Sequence, residues 1–328
     1  MSLPKIVVLT PVKNEAWILD RFLSVTSQFA DKIIILDQCS TDGSLEICLK
    51  YPKVVILENK STQFNEAERQ QILLQAARDI VTEPRIILAL DADEILAANA
   101  LTQPGWQTML NAKPGTILCF EKPDLYNTPD LCIRHDTPWP IGYADDGAPH
   151  TPKQIHSIRV PMPASAPRLN LHDIKVLHYA LTREAAQASK MRLYSVLENA
   201  LRTTPSVLRR RSVYSATRDW KLTGKLESSP DAWFNGWSEC GIDTHTIQTQ
   251  KYYWQDFEVL RHFQIHGERK FWCDDIWGFD WEGCRLHAMS IGVSDVPNKA
   301  VTSPPRILGV LLKTLMNFYV RLRTLLNK

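Results

Sequence analysis

At 328 residues the chain is long enough for one large domain or two, each with a core of its own. Its 38 Lys and Arg against 36 Asp and Glu leave a formal charge of +2, too balanced for a nucleic-acid binder, and Arg209-Arg210-Arg211 does not change that. Seven cysteines, an odd number with no C-x-x-C pair, suit neither a disulfide framework nor a zinc module and point to a reducing compartment.

The residues before Ile6–Leu9 carry no signal-type apolar region, and no run reaches the roughly 18 consecutive apolar residues of a spanning helix. A cytoplasmic protein is expected, soluble or peripheral at the inner face of the membrane.

Ile6–Leu9 (I-V-V-L) reads as a buried strand, followed by the loop Thr10-Pro11-Val12-Lys13-Asn14-Glu15. Asn14 is the candidate N-cap of a helix whose Ile18, Phe22, Val25 and Phe29 make one apolar stripe. Ile33–Leu36 is a second strand, ending in Asp37-Gln38-Cys39-Ser40-Thr41-Asp42-Gly43-Ser44 before a short helix to about Leu49. A third strand, Val54–Leu57, leads to a helical segment from Asn65 to Ile80, and Ile86 opens a fourth. Continuous apolar strands alternating with helices predict an α/β fold with a mostly parallel sheet covered on both faces. Ligands of such sheets lie beyond the carboxyl ends of the strands, where three polar stretches now fall.

The sharpest of these is I-I-L-A-L-D-A-D-E-I-L, Ile86–Leu96. Strand alternation would point Asp91 and Asp93 the same way, as suits Mg²⁺ or Mn²⁺ held by one or two carboxylates with phosphate oxygens completing its shell. Neither G-x-G-x-x-G nor G-x-x-x-x-G-K-[ST] is present to cradle phosphates, so a metal has more of that work to do. A solvated acidic turn is the plain alternative.

In this order, T-P-V-K-N-E, L-D-Q-C-S-T-D-G-S and L-A-L-D-A-D-E resemble the motifs of family 2 glycosyltransferases of GT-A fold. The match spans the first third of the chain and is nearest the branch rich in lipopolysaccharide and surface-glycan enzymes. The resemblance implies a nucleotide-sugar donor, a UDP-sugar in the first instance, and an acceptor that is a glycan or is lipid-linked. Thr10, Pro11 and Glu15 correspond to the first nucleotide loop, Asp37 to the acidic residue meeting base or ribose, and Arg69 to a basic residue near the donor. Asp91 and Asp93 correspond to the metal and diphosphate motif. His178, at the end of the strand Ile174–Leu177, is the candidate third metal ligand by the same resemblance, with a packed histidine as its alternative. Gln38-Cys39 departs from the family pattern and leaves the base open.

Attack by a sugar hydroxyl in one step inverts the anomeric centre and needs a carboxylate base. Candidates are Asp145 and Asp146 in the Pro-rich stretch Pro123–Arg168, read as a long loop over the sheet edge, and Asp173. Seven of the ten tryptophans fall between Ser212 and Cys284, either a sugar-binding acceptor module or an aromatic core. After Pro304-Pro305, Leu308, Leu311, Leu312, Leu315, Tyr319, Leu322 and Leu326 stripe a helix whose only charges are positive. The expected organisation is a catalytic domain over 1–205, an aromatic-rich helical region over 206–303 and a basic amphipathic helix over 304–328. That last helix is a candidate for peripheral membrane contact or for docking on protein. Rival readings are a catalytically inactive GT-A-like glycan-binding or scaffold protein and a sugar-phosphate nucleotidylyltransferase, which would normally carry a Gly-rich loop after the first strand.

Overall fold

The computed structural model describes residues 3–61, 65–82, 84–203, 206–215 and 220–326. In chain order it contains β1 (Lys5–Val12), α1 (Ala16–Thr26), β2 (Lys32–Asp37), α2 (Ser44–Cys48), β3 (Val54–Glu58), α3 (Glu66–Ile80), β4 (Arg85–Ala89) and β5 (Glu94–Leu96). Next come α4 (Pro104–Leu110), β6 (Ile117–Glu121), β7 (Asp124–Tyr126), β8 (Thr128–Arg134), β9 (Trp139–Ala144), β10 (Arg168–His178), α5 (Glu184–Leu201) and α6 (Val207–Val213). The remainder is β11 (Lys225–Ser228), α7 (Asn235–Glu239), α8 (Trp254–His266), α9 (Trp281–Ser290) and α10 (Arg306–Leu326). Two compact units emerge, one of Met1–Thr182 with Lys221–Gln248, the other of Arg183–Trp220 with Thr249–Lys328.

The first unit is the expected α/β architecture. Its sheet runs β11-β8-β7-β10-β6-β9-β4-β1-β2-β3, with β5 paired to β10. β3, β2, β1 and β4 are parallel, because helical crossovers join them; β9 then enters antiparallel between β4 and β6, and β10 is parallel to β6. Strands β1, β2, β4, β6 and β10 therefore all deliver their C-terminal ends to one edge. Alternation along β1 buries Ile6, Val8 and Val12 with Ile18, Leu19 and Phe22 of α1, and turns Val7 and Leu9 toward Leu73 and Ala77 of α3. Each face of the sheet is covered by helix. Gly142 of β9 permits the close fit between β4 and β6, since a Cβ there would come 2.9 Å from a Leu88 methyl and 3.0 Å from Leu118 Cβ.

The stretch Pro123–Arg168 is not one long loop. β7, β8 and β9 occupy most of 124–144, and the irregular part is 145–167. Pro140 is tolerated within β9 because the β6–β9 register shifts beside it. The pairing that makes these strands is long-range and leaves little local periodicity.

In the second unit α5 packs on α8, and the buried Arg192 guanidinium donates from Nε to Asp256 at 2.8 Å while lying 3.8 Å over the Phe279 ring. Phe263 stacks on Trp277 with centroids 5.4 Å apart and meets the edge of Trp281 at 5.1 Å. Of the clustered tryptophans, Trp233 and Trp237 are buried in the first unit's core and Trp281 in the second's. These three rings form core.

Candidate active site

Three loops meet at the C-terminal edge of the sheet. The first two are clasped together: Asn14 N–H donates to Ser40 Oγ (2.9 Å), Glu15 N–H to Ser44 Oγ (3.0 Å), Ala16 N–H to Asp42 Oδ2 (3.0 Å), and Thr41 N–H to Asn14 Oδ1 (2.7 Å). Asn14 therefore does not cap α1; it adopts φ 55° and ties the two loops, and Glu15 takes the N-cap position. Ser40, Asp42 and Ser44 of the S-T-D-G-S motif are thereby engaged in holding the loop. Gly43, at φ 91°, makes the turn into α2.

What the clasp leaves available is Asp37. It is buried, its Oδ2 accepts from Ser40 N–H at 3.1 Å, and its Oδ1 has no partner. Thr10 Oγ1, on the neighbouring strand, is likewise buried without a partner. Two orphaned polar atoms under one loop pair fit a polar ligand lying over them. Pro11 continues the same strand, and Glu15 accepts from the Trp17 indole N–H at 2.8 Å. Arg69 stands near the start of α3, whose cap is Asn65; Glu66 and Gln70 on those turns hold Ser157 of the 145–167 loop.

The third loop is the acidic one. β4 ends at Ala89, and Asp91–Glu94 form a turn into β5 closed by Glu94 N–H to Asp91 O (3.0 Å). The two aspartates are thus placed by a turn and not by strand alternation, and they meet different partners. Asp91 Oδ2 takes Arg159 Nη2 at 2.5 Å, and the same guanidinium reaches Glu94 Oε2 through Nη1 at 2.6 Å. Glu94 is fully buried and also holds Lys122 Nζ at 3.1 Å. Burial would raise its carboxyl, but Arg159, Lys122 and His178 outweigh that and hold it well below the usual range. Asp93 instead faces His178, with Oδ2 3.6 Å from Nε2. β10 delivers that imidazole by pairing His178 with Glu94 across to β5, and Tyr179 N–H donates to Asp93 O at 2.8 Å.

Asp124 orients the ring, its Oδ1 2.5 Å from His178 Nδ1, while His135 Nε2 lies 2.7 Å from Oδ2. Burial and Lys122 push the His178 pKa down, but Asp93 and Asp124 prevail and raise it to about 9. A carboxylate fixing one ring nitrogen is the arrangement found behind metal-binding histidines, and with a second carboxylate at the other nitrogen the metal-free ring is held as an imidazolium. Among the described residues no three His, Cys, Asp or Glu converge on a metal position. Asp93 and His178 are two donors side by side, so a cation held by them would need its remaining ligands from substrate or water, and the described residues do not form an all-protein cage.

Two residues at this edge carry no sequence motif. Arg159 arrives from the irregular loop, and Trp139 opens β9 with its ring half exposed, 4.6 Å from Lys122 Nζ. Strand pairing places Trp139, and the packing of the irregular loop against the acidic turn places Arg159; neither is a local property of the sequence.

The structure does not bring the three candidate bases here. β9 runs antiparallel to β4, so Asp145 and Asp146 at its end sit beside the start of β4, a strand length from Asp91. Asp145 is buried between Arg78 (2.7 Å) and Arg85 (2.7 Å), and Asp146 Oδ1 accepts from Tyr143 OH at 2.6 Å. Asp173 accepts the Gly105 N–H at 2.7 Å at the start of α4. All three are engaged in holding the fold.

Residues 7–108 match the model of glycosyl transferase family 2. Comparison with curated proteins finds no match. Among solved structures the chain is similar to a 4-diphosphocytidyl-2C-methyl-D-erythritol synthase (18% identity, 36% of this chain and 60% of that one, TM-score 0.28). It is also similar to glucosyl-3-phosphoglycerate synthase from Mycobacterium tuberculosis, crystallised with Mn²⁺, UDP and glucosyl-3-phosphoglycerate (18% identity, 37% of this chain and 44% of that one, TM-score 0.27). The chain thus spans less than two thirds of the length of either.

Proposed function

We propose that this protein is a glycosyltransferase that moves a sugar from a nucleotide-sugar, in the first instance a UDP-sugar, to a hydroxyl of a glycan or lipid-linked acceptor, using Mn²⁺ or Mg²⁺ and inverting the anomeric centre. The observation that carries the proposal is the pairing at the sheet edge of Asp93, in a turn that the family 2 match includes, with an oriented His178 that lies outside that match. Asp37, with one buried oxygen unpartnered, would receive the ribose or base, and Thr10, Pro11 and Glu15 line the strand end and loop beside it. Asp93 and His178 would hold the metal, which when bound neutralises the departing diphosphate as a Lewis acid. Arg159 keeps Asp91 and Glu94 neutralised and fixed, so that the turn presents Asp93 in one geometry. The half-exposed face of Trp139 is suited to the C–H face of an acceptor sugar.

Calorimetric titration with UDP, in Mn²⁺ and again in EDTA, with Asp93→Ala alongside, tests the donor half. Binding that requires both the metal and Asp93 supports the reading, and UDP-sugars follow. Binding of UDP, GDP, CMP and dTDP that is equally absent with and without Mn²⁺ would sink it. The anomeric configuration of the product by NMR tests inversion, and retention would exclude the one-step displacement.

A further inference from the structure

The helix α10, Arg306–Leu326, has two apolar faces, and the fold uses one of them. Leu312 is buried, and Leu308, Met316 and Tyr319, which fall on the same side at helical spacing, are half-buried; α10 lies against α6 within its own unit. The stripe expected from sequence is therefore divided. Leu311 and Leu315 fall instead on a second face with Ile307, Val310 and Phe318, whose exposures are 83% for Ile307, 68% for Val310, 54% for Leu311, 44% for Leu315 and 64% for Phe318. Ile307, Leu311, Leu315 and Phe318 stand three or four residues apart and Val310 flanks Leu311, so the five side chains form one strip along the first three turns. Single exposed apolar residues are ordinary, but a contiguous strip marks a surface that something covers. Leu322, Leu326, Arg321, Arg323 and Lys328, also part of the sequence expectation, lie outside the residues whose side chains are described.

Charge identifies the occupant. After Asp295 the sequence contains no Asp or Glu, while Lys299, Arg306, Lys313, Arg321, Arg323 and Lys328 supply six cations. Arg306 and Lys313 are exposed, like the apolar strip they accompany. An apolar strip accompanied only by positive charge complements a surface of acyl chains under anionic headgroups, where each Lys or Arg near the surface adds attraction that salt screens. No helix of the described residues is long and apolar enough to cross a membrane, so the helix would lie in the interface plane.

We propose that α10 seats on an anionic lipid surface through Ile307, Val310, Leu311, Leu315 and Phe318, with Arg306 and Lys313 meeting headgroups. The inference stands apart from the catalytic reading, because its readout is binding to lipid. Flotation of the full chain with vesicles of phosphatidylcholine alone, or with one part in four phosphatidylglycerol, should show at least tenfold more protein bound to the anionic vesicles, and 0.5 M NaCl should remove most of the difference. The triple variant Ile307→Ser, Leu311→Ser, Phe318→Ser changes only exposed positions and should lose flotation with its circular dichroism and melting temperature unchanged. Lys313→Glu should weaken flotation several-fold. No flotation of the parent chain on anionic vesicles, undiminished flotation of the triple variant, or a dimer in light scattering that the triple variant disperses without any vesicle binding would each overturn the proposal.

Discussion

Replacing Arg159 with alanine tests whether the acidic turn is held together by this one guanidinium. Glu94 is fully buried and has two cations, Arg159 at 2.6 Å and Lys122 at 3.1 Å. Removing one partner of a buried pair costs about 3–5 kcal/mol, and because Lys122 stays the lower end, about 3 kcal/mol, is expected. Asp91 adds little, since its side chain is 35% exposed and water replaces its partner. For a unit of this size about 3 kcal/mol lowers the melting temperature by roughly 6–12 °C. The pH dependence has a definite sign. A carboxylate with a lowered folded-state pKa contributes stability above its unfolded value, about 4.3, and loses it as pH falls through the folded one. The gap between parent and Arg159→Ala should therefore be widest near neutrality and shrink in acid. Thermal melts followed by circular dichroism from pH 7 to pH 3 measure both, with Arg159→Lys recovering less than half the loss because an ammonium cannot bridge two carboxylates as the planar fork does. A cost under about 1 kcal/mol at pH 7, or a gap that does not narrow in acid, would refute the reasoning.

Asp93→Ala should abolish Mn²⁺-dependent UDP binding, whereas Asp91→Asn, whose partner is Arg159, should weaken it by less; titration calorimetry ranks the two. Trp139→Ala should raise the acceptor KM about tenfold, the worth of about 1.4 kcal/mol of ring stacking, with donor KM unchanged and Phe largely restoring it; steady-state kinetics decide. Asp145→Asn should cost about 2–4 kcal/mol in urea melts by leaving Arg78 and Arg85 without their carboxylate, while Asp146→Asn should leave transfer unchanged; lost transfer with intact folding would return Asp146 to the chemistry. In metal-free protein the raised His178 pKa, about 9, contributes stability that is full below pH 6.5 and lost as pH rises through 9. Melting temperatures across that window should fall for the parent and stay flatter for His178→Asn.

Local chemistry was enough to read the first third of the chain. Short uninterrupted apolar runs bounded by turn residues read as strands buried on both faces, and their alternation with helical stripes points to parallel pairing and a single ligand edge. On that basis Asp37, Asp91 and Asp93 could be placed at one edge from sequence, and the structure has them there. The sequence also carried the amphipathic character of α10, since helical spacing is a local property.

Tertiary structure decided the rest. That Asp91 meets Arg159 and Asp93 meets His178 depends on residues 68 and 85 positions away, brought in by an irregular loop and by β10. Asp145 and Asp146 looked available because an Asp-Asp-Gly turn has no local sign of which sheet edge it will reach; the antiparallel direction of β9 sends it to the far one. Trp139 shows the converse: an exposed ring at the edge lay outside the tryptophan-rich stretch, whose Trp233, Trp237 and Trp281 pack into core. Strand direction, register and the choice of which helical face docks are set by contacts between distant segments, and a linear pattern of residue types has no term for them.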